Sequence, residues 1–411
     1  MTPGDNCSNS RRMNASAGIH WIGPIFDRGG YGNVSRNCLL GLAKIGVPVR
    51  AADLFGVNPL TDHSAELDPV VLETMRGLRN TRICGRRPAV IHASPDWFGK
   101  AKVEGARVSK RIGYTIFETD RVPGSWVGRC RKVDEVWVPS RFNLETFASS
   151  GVPREKIRVV PYGLDTDFFR PIAETFPIPR KRGFCFLYVF MFDWRKGFDL
   201  LLEAYLQEFS RGDDVTLVLK AYGPPGVERD IQKEILSSVP EWSRVPASMH
   251  PHVVILDAPL TQESLKRLYN TCDLYISTDR ANGWGMPCME AMAMGKPAAT
   301  IDWSGSTEFM TEENSLLIRP TGKLVPVDER LARERPIYAG HRWAEVSVDE
   351  VRRVMRFAVT HRDRLDELGS WGRNSILNGF SLTKAAERLA GMVRREAPPW
   401  HERLFGCRPA S

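Results

Sequence analysis

No stretch of the 411 residues stays apolar for the ~20 positions that a bilayer-spanning helix needs. Met1 to Gly18 is polar and lacks the apolar segment of a secretory leader. The eight Cys include no Cys-x-x-Cys pair, which removes the usual zinc and redox spacings and any disulfide frame. No Gly-x-Gly-x-x-Gly follows a strand pattern, which counts against a nicotinamide dehydrogenase. No helix-turn-helix pattern and no aromatic interleaving accompany the basic residues, which counts against nucleic acid. These absences predict a cytoplasmic protein with residues 1–17 disordered.

Length is too great for one ordinary core, so two domains are expected. The net charge of +8 is concentrated: ten Lys or Arg lie between Arg76 and Arg111, against Asp96 and Glu104 alone. A basic face of that kind suits an anionic acceptor, a phosphorylated lipid or the inner face of an acidic membrane, and equally an ordinary solvated surface.

Short apolar strands alternate with helical patterns throughout, which predicts α/β structure with two doubly wound parallel sheets. In the first half, strand Gly18–Gly23 leads to Gly29 and Gly30, which directly precede a helical pattern. His92 ends a strand, where ligands of open α/β sheets collect. Glu118 and Asp120 follow another strand, placed for acid–base work or for a charged rim with Arg121. In the second half, Arg195 and Lys196 stand at a strand-to-helix turn, where cations can hold a diphosphate. A helix is expected within Trp343–His361 and another over Phe380–Arg395.

The most informative stretch runs from Asp279 to Gly295, after the strand Leu274–Ser277. Gly283 and Gly285 bracket a loop whose backbone can approach a ligand, Pro287 suits a helix start, and Gly295 suits its end. Strand, glycine loop and helix N-terminus aim backbone N–H groups at one point. Glu290, one turn inside among Met, Cys and Ala, needs a partner, which ligand hydroxyls or a neighbouring backbone N–H would supply.

This stretch resembles the signature of retaining glycosyltransferase family four (glycosyl transferases group 1, GT-B fold), Glu-Gly-Phe-Gly-Leu-Pro-x-x-Glu-Ala-Met-Ala-x-Gly. Gly283, Gly285, Pro287, Glu290, Ala291, Met292, Ala293 and Gly295 match it, with Trp284 and Met286 as soft replacements. Lys196-Gly197 matches the family's Lys-Gly, but its earlier Arg has no counterpart, and Arg195 is the candidate substitute.

The resemblance implies two Rossmann-like domains facing each other across a cleft: an acceptor-side domain over 18–175, a nucleotide-sugar domain over 176–379, and a helix and tail over 380–411 that cross back to the first. It implies that Glu290 holds the ribose, that Gly283, Trp284, Gly285 and Met286 hold the sugar, that Leu260 lies by the base, and that Gly29 and Gly30 face the diphosphate. His92 would lie near the donor sugar. Glu118, Asp120 and Trp126 would face the acceptor, a glycan or polyprenyl-linked hydroxyl. Asp165-Thr-Asp167 resembles the interdomain connection rather than a metal motif. The implied reaction is a metal-independent hexosyl transfer from a nucleoside diphosphate sugar without any cofactor, with GDP-mannose favoured by the segment around Phe117 to Trp126.

One position departs from the pattern. Asn282 stands where the family has its first Glu, and an amide can orient a hydroxyl but carries no charge. Either Asn282 suffices, or Asp279 or Glu118 supplies a carboxylate, or the chain binds a nucleotide sugar without transferring it.

Overall fold

The computed structural model describes residues 18–56, 62–102, 105–223, 230–242 and 246–394. The expected disordered start and the C-terminal residues Trp400, Leu404 and Phe405, expected to dock on the first domain, lie outside the described residues.

The first lobe is a six-stranded parallel sheet, β1 (Ile19–Gly23), β2 (Val49–Asp53), β3 (Arg86–His92), β4 (Arg107–Tyr114), β5 (Glu135–Val138) and β6 (Ile157–Val159), in the order β2-β1-β3-β4-β5-β6. Its helices are α1 (Gly30–Lys44), α2 (Pro69–Arg79), α3 (Gly124–Cys130) and α4 (Arg141–Ser149).

The second lobe repeats the plan with β7 (Phe184–Met191), β8 (Val215–Tyr222), β9 (His252–Leu256), β10 (Leu274–Ser277), β11 (Ala298–Ile301) and β12 (Leu316–Ile318), ordered β12-β11-β10-β7-β8-β9 and parallel. Its helices begin with α5 (Phe198–Glu208), α6 (Ile231–Trp242), α7 (Gln262–Thr271) and α8 (Met286–Ala293). Strand β7 is nearly all apolar because it is central and covered on both faces. Chain direction across each sheet reverses once, between β1 and β3 and between β7 and β10. In open α/β sheets ligands bind at the C-terminal strand ends beside such a reversal.

A small antiparallel pair, β13 (Leu324–Pro326) and β14 (Arg342–Ala344), encloses α9 (Glu329–Glu334). Sequence periodicity does not announce it, because its strands have three residues each. It leans onto the first lobe. Asp120 N donates to the Arg342 carbonyl at 3.1 Å, Arg342 N donates to Asp120 Oδ1 at 2.8 Å, and Thr119 Oγ1 and His341 Nδ1 lie 2.7 Å apart.

The remaining helices are α10 (Val348–Thr360), α11 (Arg362–Phe380) and α12 (Leu382–Arg394). The helix expected within Trp343–His361 is α10, which Ser347 caps by accepting from Glu350 N, while Trp343 itself belongs to β14. The expected last helix starts at Leu382, because Ser381 is extended (φ −63°, ψ 159°) and Phe380 closes the unforeseen α11. Helix α12 packs on α1 of the first lobe, so closely that a Cβ on Gly41 would stand 2.7 Å from the Leu382 carbonyl oxygen. Leu164 clamps the junction, donating to Phe380 O and accepting from Leu382 N, both at 2.9 Å.

Candidate functional site

Two glycine loops meet across the gap between the lobes. In the second lobe the chain leaves β10, passes Asn282 and Gly283, and enters α8 through Gly285, whose φ of +88° puts it in the left-handed region that favours glycine. Pro287 is the second helical residue, and no side chain caps the helix. In the first lobe Gly29 is the N-cap of α1 and Gly30 its first residue, with no acidic side chain in the first turn. Both helix starts turn a positive dipole end to the gap, although Pro287 has no N–H, Cys288 N donates to Gly285 O at 3.0 Å, and Gly29 N donates to Asp27 Oδ1 at 2.7 Å. They share one cavity of about 170 Å³, whose walls include Gly30, Tyr31 and Ile116 on one side and Gly283 to Met286 on the other.

Three buried polar atoms at or beside this loop have no partner among the described residues: Asn282 Oδ1, Trp284 Nε1 and Arg195 Nε. An unpaired buried polar atom costs roughly 1–3 kcal/mol. One acceptor beside two donors is the complement of a polyhydroxyl ligand, whose groups both give and take hydrogen bonds.

Charged groups line the same strand ends. Glu290 is buried on α8 and accepts a hydrogen bond from Tyr269 at 2.8 Å. Burial pushes its carboxyl up to about 7, only partly offset by the Tyr269 hydroxyl. Lys196 Nζ pairs with Asp279 Oδ2 at 2.7 Å, and Tyr188 donates to the other Asp279 oxygen. Lys196 reaches this position because Asp193 caps the turn and Gly197 (φ +59°) packs so tightly on the Thr278 carbonyl that a Cβ would overlap it.

Arg195 is placed differently from a free phosphate ligand. It is buried, donates to the Ala281 carbonyl at 2.6 Å, and stands 3.9 Å from Glu118 of the first lobe. Tyr222, at the end of β8 and 46% exposed, lies within electrostatic reach of Glu290, Asp279 and Arg195. Sequence reasoning passed over it, although an aromatic residue at the C-terminal end of a strand next to the reversal was a usable signal.

Other candidates are not brought into the cavity. His92 is fully buried among Trp21, Tyr31, Tyr114 and Tyr162, with Nδ1 2.7 Å from Ser35 Oγ and Nε2 3.3 Å from Tyr162 Oη. Burial lowers it to about 3, so it is a neutral core histidine rather than a group facing a sugar.

Glu118 and Asp120 are occupied in holding the second lobe. Tyr338 donates to Glu118 Oε2 at 3.1 Å, and Asp120 binds Arg121 and the Arg342 backbone. Trp126 is buried against Phe117 and donates to Asp96 at 3.1 Å. Leu260 is half-buried against the core beside α7. Asp165 accepts from the backbone N–H of Asp167 and Phe168, and Asp167 pairs with Lys44, so the two carboxylates serve separate partners.

The basic segment also lies away from the cleft. Arg86 and Arg107 are register partners at the N-terminal ends of β3 and β4, the opposite end of the sheet. Several of its members are committed internally: Lys110 to Glu135, and Arg111 to the carbonyls of Phe98 and Ala101.

Gly283 has a second reason for being glycine besides the one expected. A Cβ there would overlap the Ile116 side chain, so its absence also lets the lobes close. Gly283→Ala is expected to hold the lobes apart, raising the radius of gyration in solution scattering while leaving the thermal midpoint within a few degrees. The further change Ile116→Ala should restore the wild-type value. An unchanged radius in the single variant would refute the close contact.

Two Rossmann-like lobes facing each other across a gap are the GT-B fold, and residues 183–331 of the second lobe match the family described as Glycosyl transferases group 1. Among curated proteins, the chain is similar to mannosylfructose-phosphate synthase of Agrobacterium fabrum, 28% identical over 160 residues, which cover 38% of this chain and 34% of that protein. The matched segment thus spans about a third of that relative.

Among solved structures, the fold is similar to sucrose-phosphate synthase of Thermosynechococcus elongatus (TM-score 0.65, 16% identity, 92% of this chain and 98% of that one). It is also similar to Anabaena HepE in complex with UDP-glucose (TM-score 0.61, 14% identity, 92% and 99%). Among the described residues no helix is long and apolar enough to cross a membrane.

Proposed function

We propose that this chain is a glycosyltransferase that moves a hexosyl group from a nucleoside diphosphate sugar to an acceptor hydroxyl, with retention of anomeric configuration. The observation that carries the reading is the pair of glycine loops facing each other across one cavity, with the unpaired Asn282, Trp284 and Arg195 atoms and the Lys196–Asp279 pair near the second loop, inside the matched family segment.

The leaving diphosphate is already weakly basic, so the site must stabilise charge more than donate a proton. Lys196 and the starts of α1 and α8 supply positive potential, while Asn282 and Trp284 orient sugar hydroxyls. Glu290 receives the ribose hydroxyls in its ionised form. No step in this scheme requires a metal ion. HepE was crystallised with UDP-glucose, whereas the Agrobacterium relative is named for a mannosyl product. The donor proposed here is GDP-mannose, with UDP-glucose as the competing case. The proposed acceptor is a glycan or lipid-linked hydroxyl, and the exposed Arg86 and Arg107 would allow peripheral contact with an anionic leaflet.

The test is nucleoside diphosphate release from a panel of nucleotide sugars, with and without acceptor glycans and in the presence of a chelator. Acceptor-dependent release that survives chelation supports the reading, and loss of release on chelation overturns the metal-independent scheme. Donor binding without release from any pair, restored by Asn282→Glu, would establish instead a binding protein that lost its family carboxylate.

A further inference from the structure

A cavity of about 710 Å³ lies far from the cleft. It lies at the other end of the second sheet, where β7, β8 and the edge strand β9 begin, under α5 and α6. Its volume is in the range of ~300–1,000 Å³ typical of small-molecule sites. The floor is aliphatic, formed by residues such as Leu206, Ile235, Val239, Val253 and Ile255, and Leu236 at its edge is left 52% exposed.

The rim is cationic. Among the described residues Arg180, Arg182 and Arg211 line the opening, no Asp or Glu lines it, and none of the three has a carboxylate partner. Two are tethered without being neutralised: Arg182 donates to the Arg211 carbonyl at 3.2 Å, and Arg211 donates to the Ser248 carbonyl at 3.1 Å. Each keeps further guanidinium N–H groups for another acceptor. Arg180 is held at φ +51°, a left-handed conformation uncommon for a residue with a side chain, which the surrounding fold must enforce.

Like charges gathered over an apolar floor repel one another unless an anion joins them. Among the described residues the lining contains no Phe, Tyr, Trp, Asn or Gln; its rings are His250 and His252, both with partners already and His252 Nε2 3.1 Å from the Pro179 carbonyl, so the aliphatic floor is the larger surface offered to a ligand. We propose that this cavity binds an aliphatic phosphate monoester, with the hydrocarbon chain against the floor and the phosphate bridging Arg180, Arg182 and Arg211. The site is separate from the donor cleft, so occupancy does not compete with the nucleotide sugar.

Dodecyl phosphate, kept below its micelle concentration, is titrated into the full chain by calorimetry. Inorganic phosphate and dodecyl maltoside serve as controls for head and tail alone. One equivalent of dodecyl phosphate is expected to bind at least tenfold more tightly than either control. The exposed pair Arg182→Ala/Arg211→Ala should weaken it at least tenfold with the thermal midpoint retained. Equal binding of dodecyl maltoside would reduce the cavity to an apolar patch and overturn the proposal. Equal binding of inorganic phosphate would reduce the rim to a solvated basic surface and overturn it too, as would insensitivity to the double substitution.

Discussion

Glu290→Gln is expected to raise the donor KM by about 10²-fold, since two charge-assisted hydrogen bonds to ribose hydroxyls at ~1.5–3 kcal/mol each are weakened or lost. The pH dependence is the sharper readout. The folded Glu290 carboxyl lies at about 7 against an ordinary 4.5, so between these values the folded state holds a proton that the unfolded state has released. Its contribution to stability is therefore complete below pH 4.5 and falls as pH rises, by roughly 3 kcal/mol once pH passes 7. Bound ribose hydroxyls favour the ionised form, so donor affinity should rise from pH 6 to pH 8 while stability of the free protein declines. Both slopes should flatten in Glu290→Gln. A donor affinity with the same pH slope in the variant would remove Glu290 from the site.

Lys196→Ala should lower kcat/KM by about 10³-fold, the loss expected when a preorganised positive group at the leaving diphosphate is deleted. The change also strands Asp279, a buried carboxylate whose other partner is Tyr188, so a stability loss of several kcal/mol is expected alongside. A double variant separates the two effects. Lys196→Met/Asp279→Asn removes both charges, so it should recover most of the thermal midpoint and none of the activity. Recovery of activity with stability would make the pair a structural ion pair only. Asp279 acts here as a positioning residue, so the free carboxylate that would compensate for Asn282 does not come from it: both its oxygens are taken.

Much of the fold was legible because its signals are local. Strand β10, the glycine loop, α8 and its stop at Gly295 fall within one stretch of some twenty residues, and the structure keeps β10 at its expected bounds. What sequence missed depends on contacts distant along the chain. Glu118 looks like a catalytic acid until Tyr338, 220 positions away, is seen donating to it. His92 resembles a sugar contact because it ends a strand, but four aromatic rings from separate elements enclose it. Gly283 reads as a ligand-facing glycine, but nothing local shows that it also meets Ile116 of the other lobe. The pair β13–β14 was invisible because three-residue strands carry no period.

The docking of α12 onto α1 has a consequence for how the protein is made. The ribosome releases the first sheet long before it finishes the helix that covers α1, and the start of α1 is one wall of the cavity between the lobes. A nascent chain thus carries an uncovered apolar face on its first lobe until Leu382–Arg394 has emerged, although domains ordinarily complete folding in the order of synthesis. Loss of α12 would then damage a site built at the start of α1, and chains that stop before Leu382 should aggregate rather than fold with one helix missing.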